Sequence, residues 1–197
     1  DSMAGIGTMT YYDPETGSFG ALGHGITDSD TGILMPFASG SLLPSAVKAV
    51  KKGASGEAGE LRGDFDLTGD LGDLSANTSS GIFGTLDPGE FTERLGDAIP
   101  VASAGEVHTG PAAILANVEG DAVKEYDIEI LQIVEDAADS RDLVIAVTDP
   151  ELLSITGGIV QGMSGSPILQ DGKFAGAVTH VLLNDPSKGY GILMETM

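Results

Sequence analysis

An all-β barrel or sandwich is the fold class this sequence predicts, on two observations. Short β-type runs recur along the chain and are closed by turns rich in glycine, proline and aspartate. The last forty residues are the most legible part: a strand-like Gly157–Val160, a tight glycine/serine segment, Pro167–Leu169, a turn at Gln170–Gly172 and Phe174–Leu183.

The remaining elements follow in chain order. Ile6, Thr8, Thr10 and Tyr12 alternate with other residues, Asp13–Gly17 supplies turn chemistry, and Phe19–Ile26 resumes an extended run. Residues 27–45 read as loop, with a turn at Asp28–Gly32. The segment 44–52 is ambiguous, because Ala46, Val47, Ala49 and Val50 fit a helical face in a stretch too short to decide. Residues 53–98 are rich in glycine and acid without sustained periodicity, so short strands and long loops are expected there. β-type runs then return at Ile99–Ala104, Ala112–Val118, Tyr126–Val134 and Leu143–Val147. No internal repeat or low-complexity tract interrupts them.

Length and composition narrow the function. A chain of 197 residues suits one domain, or two small lobes sharing a core. Its 29 glycines show no three-residue period, which excludes a collagen-like chain, and the absence of cysteine excludes disulfides and thiolate metal sites. No apolar run reaches the ~18–20 residues of a membrane span, and no signal peptide opens the sequence. Because it begins at Asp1, we read it as an excised domain, with any anchor upstream. Nine basic residues against thirty acidic ones give a net charge of −21, which disfavours nucleic acid and acidic phospholipid as partners. Solubility explains the charge most simply.

The most specific segment is Gly162-Met163-Ser164-Gly165-Ser166-Pro167. A serine among small residues, between two strands, has its hydroxyl exposed on a tight turn. The same turn can aim the Gly162 and Ser164 N–H groups at one point, the requirement of an oxyanion hole. A side chain at either glycine would crowd a substrate carbonyl or forbid the backbone angles. An ordinary glycine-serine turn is the plain alternative.

Three histidines could serve as base. His24 is flanked by glycines at a strand end, where an imidazole can reach a cleft. His180 lies mid-strand, the place of a packed or edge-strand histidine, and His108 lies in the loop Gly105–Gly110. Among the acids, Asp149 follows Leu143–Val147 at a strand end, before Pro150. Asp127 lies in a strand that alternates acid with aliphatic, where a solvated face explains it.

At these residues the chain resembles chymotrypsin-type serine peptidases, through the order histidine, aspartate, serine and the GxSGxP turn followed by a hairpin. More closely it resembles the peptidase domain of the stage IV sporulation protein B (SpoIVB) family. The matching segments are GIGTMTYYDPETGSFGALGHGITD (5–28), GIFG (81–84), IPVASAGEVHTGPA (99–112), YDIEI (126–130) and VTDPELLSITGGIVQGMSGSPILQDGKFAGAVTHVLLNDPSKGYGI (147–192). This resemblance implies a chymotrypsin-like double β-barrel over residues 1–197, its two lobes meeting at roughly 100–125. It implies catalytic His24, Asp149 and Ser164, an oxyanion hole at Gly162 and Ser164, and no cofactor or metal.

The resemblance also implies a biology. Family members carry an upstream membrane anchor and a PDZ domain, and they act between the mother-cell and forespore membranes. They cleave themselves and the extracytoplasmic part of a membrane protein that restrains an intramembrane metalloprotease, which leads to activation of a sporulation sigma factor. The implied chemistry has His24 accepting the Ser164 proton, Asp149 fixing the imidazole tautomer and the two amides holding the oxyanion.

Three rival readings fare less well. An α/β hydrolase needs GxSxG and a histidine after the serine, but position 166 is serine and only His180 follows. A calcium loop at Asp64–Gly69 would need glutamate where Ser75 stands. An inactive interaction domain on a peptidase scaffold is at odds with the intact trio. Gly5-Ile6-Gly7 lacks the third glycine of a dinucleotide fingerprint.

Overall fold

The computed structural model describes residues 3–197, and its regular structure is mostly antiparallel strand, with 46% of residues in strands and 7% in helix. The first lobe is a five-stranded sheet in the order β1 (Met9–Asp13), β2 (Ser18–Ala21), β7 (Gly81–Leu86), β6 (Gly72–Thr78) and β3 (Ser41–Leu42). The second is a closed six-stranded barrel of β8 (Gly110–Glu119), β9 (Ala122–Ile133), β10 (Leu143–Val147), β11 (Pro167–Gln170), β12 (Lys173–Val181) and β13 (Lys188–Leu193). A separate hairpin pairs β4 (Ser45–Lys51) with β5 (Glu60–Phe65). The chain is thus all-β, with one barrel closed and the other lobe a half-barrel.

The closed barrel holds the larger core. Ile114, Ile128, Ile130, Leu143, Ile145 and Ile168 are fully buried inside it. Along β9, Tyr126, Ile128 and Ile130 point inward while Asp127 and Glu129 face solvent, the two-residue alternation of a half-wet strand. Each such buried aliphatic side chain contributes roughly 1.5–3 kcal/mol. The first lobe gathers only Phe19, Ala21, Ile82 and Leu86 into a fully buried cluster.

Neither Ile99–Ala104 nor Gly157–Val160 is a strand: the first makes only an isolated bridge at Val101 and the second is a bend after a helix. Two further features differ from the sequence reading. The ambiguous segment 44–52 is a strand: a bulge between Val47 and Ala49 adds one residue, so Val47 and Val50 both pack on the main core. That bulge produced the three-residue spacing that mimicked a helix. The second feature is a helix after β10, α1 (Pro150–Thr156), which begins at the site of a candidate catalytic residue. Asp149 is its N-cap, Pro150 opens its first turn, and Gly157 closes it in the left-handed region at φ 74°. Asp-Pro-Glu before an apolar run is a legible helix start that the strand-end reading of Asp149 overlooked.

Candidate active site

His24 and Ser164 line one cleft of about 340 Å³. Ile6, Leu22, Ile159, Val160, Gln161, Gly162, Thr179, His180 and Val181 complete its walls. The first lobe supplies His24 and the second supplies Ser164, so the cleft forms where the lobes meet.

A short ladder seats the two residues. The Thr8 N–H donates to Ser164 O at 3.0 Å, and the Leu22 N–H donates to Thr8 O at 3.2 Å. Leu22 and Gly23 then turn the chain with φ of 69° and 71°. A left-handed leucine is costly, by about 1 kcal/mol, and is held because the turn delivers His24 to the cleft. The His24 Nδ1–H donates to Gly25 O at 2.9 Å. Since a carbonyl only accepts, this bond fixes the proton on Nδ1 and leaves Nε2 as the free lone pair.

Ser164 lies in a turn that requires its glycines. Gly162 and Gly165 have φ of 100° and 93°, and a Cβ at Gly165 would come within 2.2 Å of Thr8 O. The Ser164 hydroxyl donates to Thr179 O at 3.0 Å. That carbonyl is available because Thr179 is the extra residue of a bulge in β12, between Val178 and His180, with no partner on β13.

The turn also holds two amides in place. Leu61 N–H donates to Gln161 O at 2.8 Å, which fixes the peptide plane carrying the Gly162 N–H. Ser166 N–H donates to Met163 O at 2.9 Å, which fixes the plane carrying the Ser164 N–H. Among the described residues neither of those two N–H groups has an acceptor within the protein. Such a pair of pre-set, unoccupied donors suits a developing oxyanion.

Asp149 is placed elsewhere. Its carboxylate accepts from the N–H groups of Glu151 and Leu152 at 2.9 and 3.1 Å, and from Asp127 N–H at 3.3 Å. It makes no hydrogen bond to His24 and does not line the cleft. The structure therefore brings His24, Ser164 and the Gly162 amide together without Asp149. The physical reason is local: a carboxylate preceding Asp-Pro-Glu's own helix is claimed by the free N–H groups of that helix's first turn. Asp127 faces solvent on β9, and exposed His108 pairs with Asp171 at 2.7 Å outside the cleft.

His180, read from the sequence as a packed or edge-strand histidine, lies in β12 beside the base. The His180 ring lies 5.1 Å from the His24 ring, centroid to centroid, tilted by 37°. Burial, with lesser contributions from His24 and Arg141, pushes His180 down to about 4, so it is neutral at neutral pH.

The SpoIVB peptidase S55 family model matches residues 1–197, the whole chain. No curated protein matches it. A full-length family match, a double-lobed all-β fold and a serine turn facing a histidine across the lobe boundary agree with one another, and on that match the chain belongs to the SpoIVB peptidase S55 family, a family of serine peptidases.

Proposed function

We propose that this chain is a serine endopeptidase with Ser164 as nucleophile, His24 as general base, and the Gly162 and Ser164 amides as oxyanion hole. The observation that carries the reading is the shared cleft: a histidine with Nε2 free and a serine flanked by two unoccupied N–H donors. Rotation of the Ser164 side chain away from Thr179 O turns its hydroxyl toward His24. As Oγ bonds to the substrate carbonyl carbon, its proton passes to His24 Nε2, and the carbonyl π pair moves onto oxygen. The imidazolium then returns the proton to the leaving amine, and water repeats the sequence on the acyl-enzyme.

The resemblance to the SpoIVB family extends the proposal to biology. The enzyme cleaves itself and the extracytoplasmic part of a membrane-bound regulator of an intramembrane metalloprotease. It acts between the mother-cell and forespore membranes, and its cleavage leads to sigma-factor activation during sporulation. Family membership supports this extension.

A fluorophosphonate probe tests the chemistry. It should label the folded chain once, at Ser164, and labelling should vanish in Ser164→Ala and fall steeply in His24→Ala. A folded chain that takes up no probe would return the inactive interaction domain as the better reading.

A further inference from the structure

We propose that the hairpin β4–β5, which the chain sends out between β3 and β6 of the first lobe, is a strap, and that docking of its tip, Gly53–Gly59, positions the serine turn and the facing cleft wall as one unit. This rests on Ser164 being the nucleophile and on the Gly162 and Ser164 amides being the oxyanion donors, as argued above.

The tip grips two separate stretches of the second lobe. The Gly53 N–H donates to Thr156 O, at the end of α1, at 2.9 Å, and α1 leads into Ile159, Val160 and Gln161, which line the cleft. The Gly56 N–H donates to Leu183 O at 2.8 Å, and the Ser55 hydroxyl donates to Asn184 O at 2.9 Å. Those two carbonyls belong to the loop that follows β12 and the cleft residue Val181. The loop is tied back to the serine side, because the Ile159 N–H donates to Pro186 O at 2.8 Å. On the return of the hairpin, the Gln161 N–H donates to Gly59 O at 2.9 Å and the Leu61 N–H donates to Gln161 O at 2.8 Å. The strap therefore holds both peptide planes of Gln161, the residue before the oxyanion donor Gly162.

The sequence of the tip, Gly53-Ala54-Ser55-Gly56-Glu57-Ala58-Gly59, suits this junction. A Cβ at Gly59 would fall 2.5 Å from Gly53 N and 2.6 Å from Val160 Cγ1, and one at Gly157 would fall 2.6 Å from Gly53 O. Backbones approach there too closely for side chains. The tip closes on itself through paired bonds between Ala54 and Glu57, with Lys51 and Glu57 in contact at 2.6 Å. Its hold on the second lobe is polar and exposed. Ala54, Ser55, Gly56 and Glu57 face solvent, whereas the apolar anchors Val47, Val50 and Leu61 lie in the strands. A segment with few buried apolar contacts opens at a lower free energy than the core, so the tip can leave while the strands stay packed. Undocking takes the Gly59 acceptor from Gln161 and the donors from Thr156, Leu183 and Asn184. The plane of the Gly162 N–H is then held from the hairpin by Leu61 alone, and an oxyanion donor is effective only when it is aimed in advance.

Two measurements on the whole chain test the strap, and both read the rate at which a fluorophosphonate modifies Ser164. In that step Ser164 Oγ bonds to phosphorus, fluoride departs and the serine proton passes to His24, so no peptide substrate is needed. Replacing residues 52–59 by Asn-Gly closes the Lys51–Glu60 pair with a two-residue turn and removes the tip while keeping both strands. The limiting rate should fall about ten- to a hundred-fold. The half-saturating probe concentration should move less than about three-fold, as expected when the reacting step is what weakens. The second measurement needs no deletion. In urea below the global unfolding transition, the unmodified chain should lose labelling about ten-fold as the tip undocks. Ser55→Cys with Asn184→Cys, joined by a short bis-maleimide in this otherwise cysteine-free chain, should keep the rate it has without urea. A tip-less chain that folds and labels at the unmodified rate overturns the proposal. So does labelling that falls in parallel in the unmodified and joined chains, and this comparison decides alone if the tip-less chain does not fold. If the unmodified chain does not react at Ser164, the peptidase reading itself fails, and that result is distinct from a failure confined to the strap.

Discussion

Leu61 packs behind Gly162, which lines the cleft. A Cβ built on Gly162 would lie 3.0 Å from Leu61 Cβ, and the Leu61 N–H is the donor that holds Gln161 O. The start of β5 thus buttresses the turn that aims the oxyanion donors, although Leu61 stands far from Ser164 in sequence. Gly162→Ala must fit a methyl into that contact at φ 100°, where L side chains are strained. We expect it to slow fluorophosphonate labelling about 10²-fold, the scale of losing one oxyanion donor, with the Ser164 hydroxyl still present. Labelling rate and thermal melting measured together check it.

Asp149 separates two roles by substitution. Asparagine keeps an acceptor for the Glu151 and Leu152 N–H groups, so Asp149→Asn should leave the melting temperature nearly unchanged and labelling within a few-fold. Asp149→Ala removes the cap and should cost about 1 kcal/mol, or roughly 2–4 °C in a chain of this size. Calorimetry on the two variants decides it.

Thr8 pins the serine turn from the other side. Its hydroxyl donates to Gly162 O at 3.0 Å and its N–H to Ser164 O. Thr8→Val removes only the first bond and leaves a partly buried carbonyl without its donor, at a cost of about 1 kcal/mol. The expected outcome is a labelling rate about ten-fold lower with a melting temperature only a few degrees down. A rate equal to wild type would show that the other bonds suffice to hold the turn.

His180 also makes stability depend on pH in a defined direction. Its pKa is about 4 when folded and near 6.5 when unfolded, so between those values the unfolded chain binds more protons. Stability therefore falls as pH drops from about 6.5 to about 4. His180→Gln should flatten that slope by at most one proton, about 1.4 kcal/mol per pH unit. His108 acts in the opposite sense, because its bond to Thr109 O and its pairing with Asp171 raise its pKa. Glu106, held down to about 2 chiefly by Lys173, adds a slope of the same sign as His180. The difference between wild type and variant in urea titrations at several pH values isolates position 180.

Among the described residues the cleft has no lysine, arginine or carboxylate in its lining, and Ile6, Leu22, Ile159, Val160 and Val181 supply its apolar walls. A peptide whose residue before the cut bears an aliphatic side chain should be cleaved faster than one with lysine or aspartate there, by roughly 10-fold or more. Competition between matched fluorogenic peptides measures the ratio. A preference for lysine would point instead to the net negative charge of the whole chain as the determinant.

Local interactions account for what the amino-acid sequence alone determined. The β9 alternation, the turn at Gln170–Gly172 and the glycine-rich turn around Ser164 were legible because each depends on neighbours within a few residues. The start of α1 is equally local, because Asp-Pro-Glu reads as a helix cap. The short strands expected between 53 and 98 are present, but their positions were not legible: Gly84, for example, lies where a Cβ would come within 2.0 Å of Asp73 O, so close backbone approach replaced the apolar pattern. Tertiary structure alone decided who stands beside His24. That meeting requires one lobe's turn to dock on a bulged strand of the other, and the cost of closing so long a loop is met by packing across the whole interface, which no local spacing encodes.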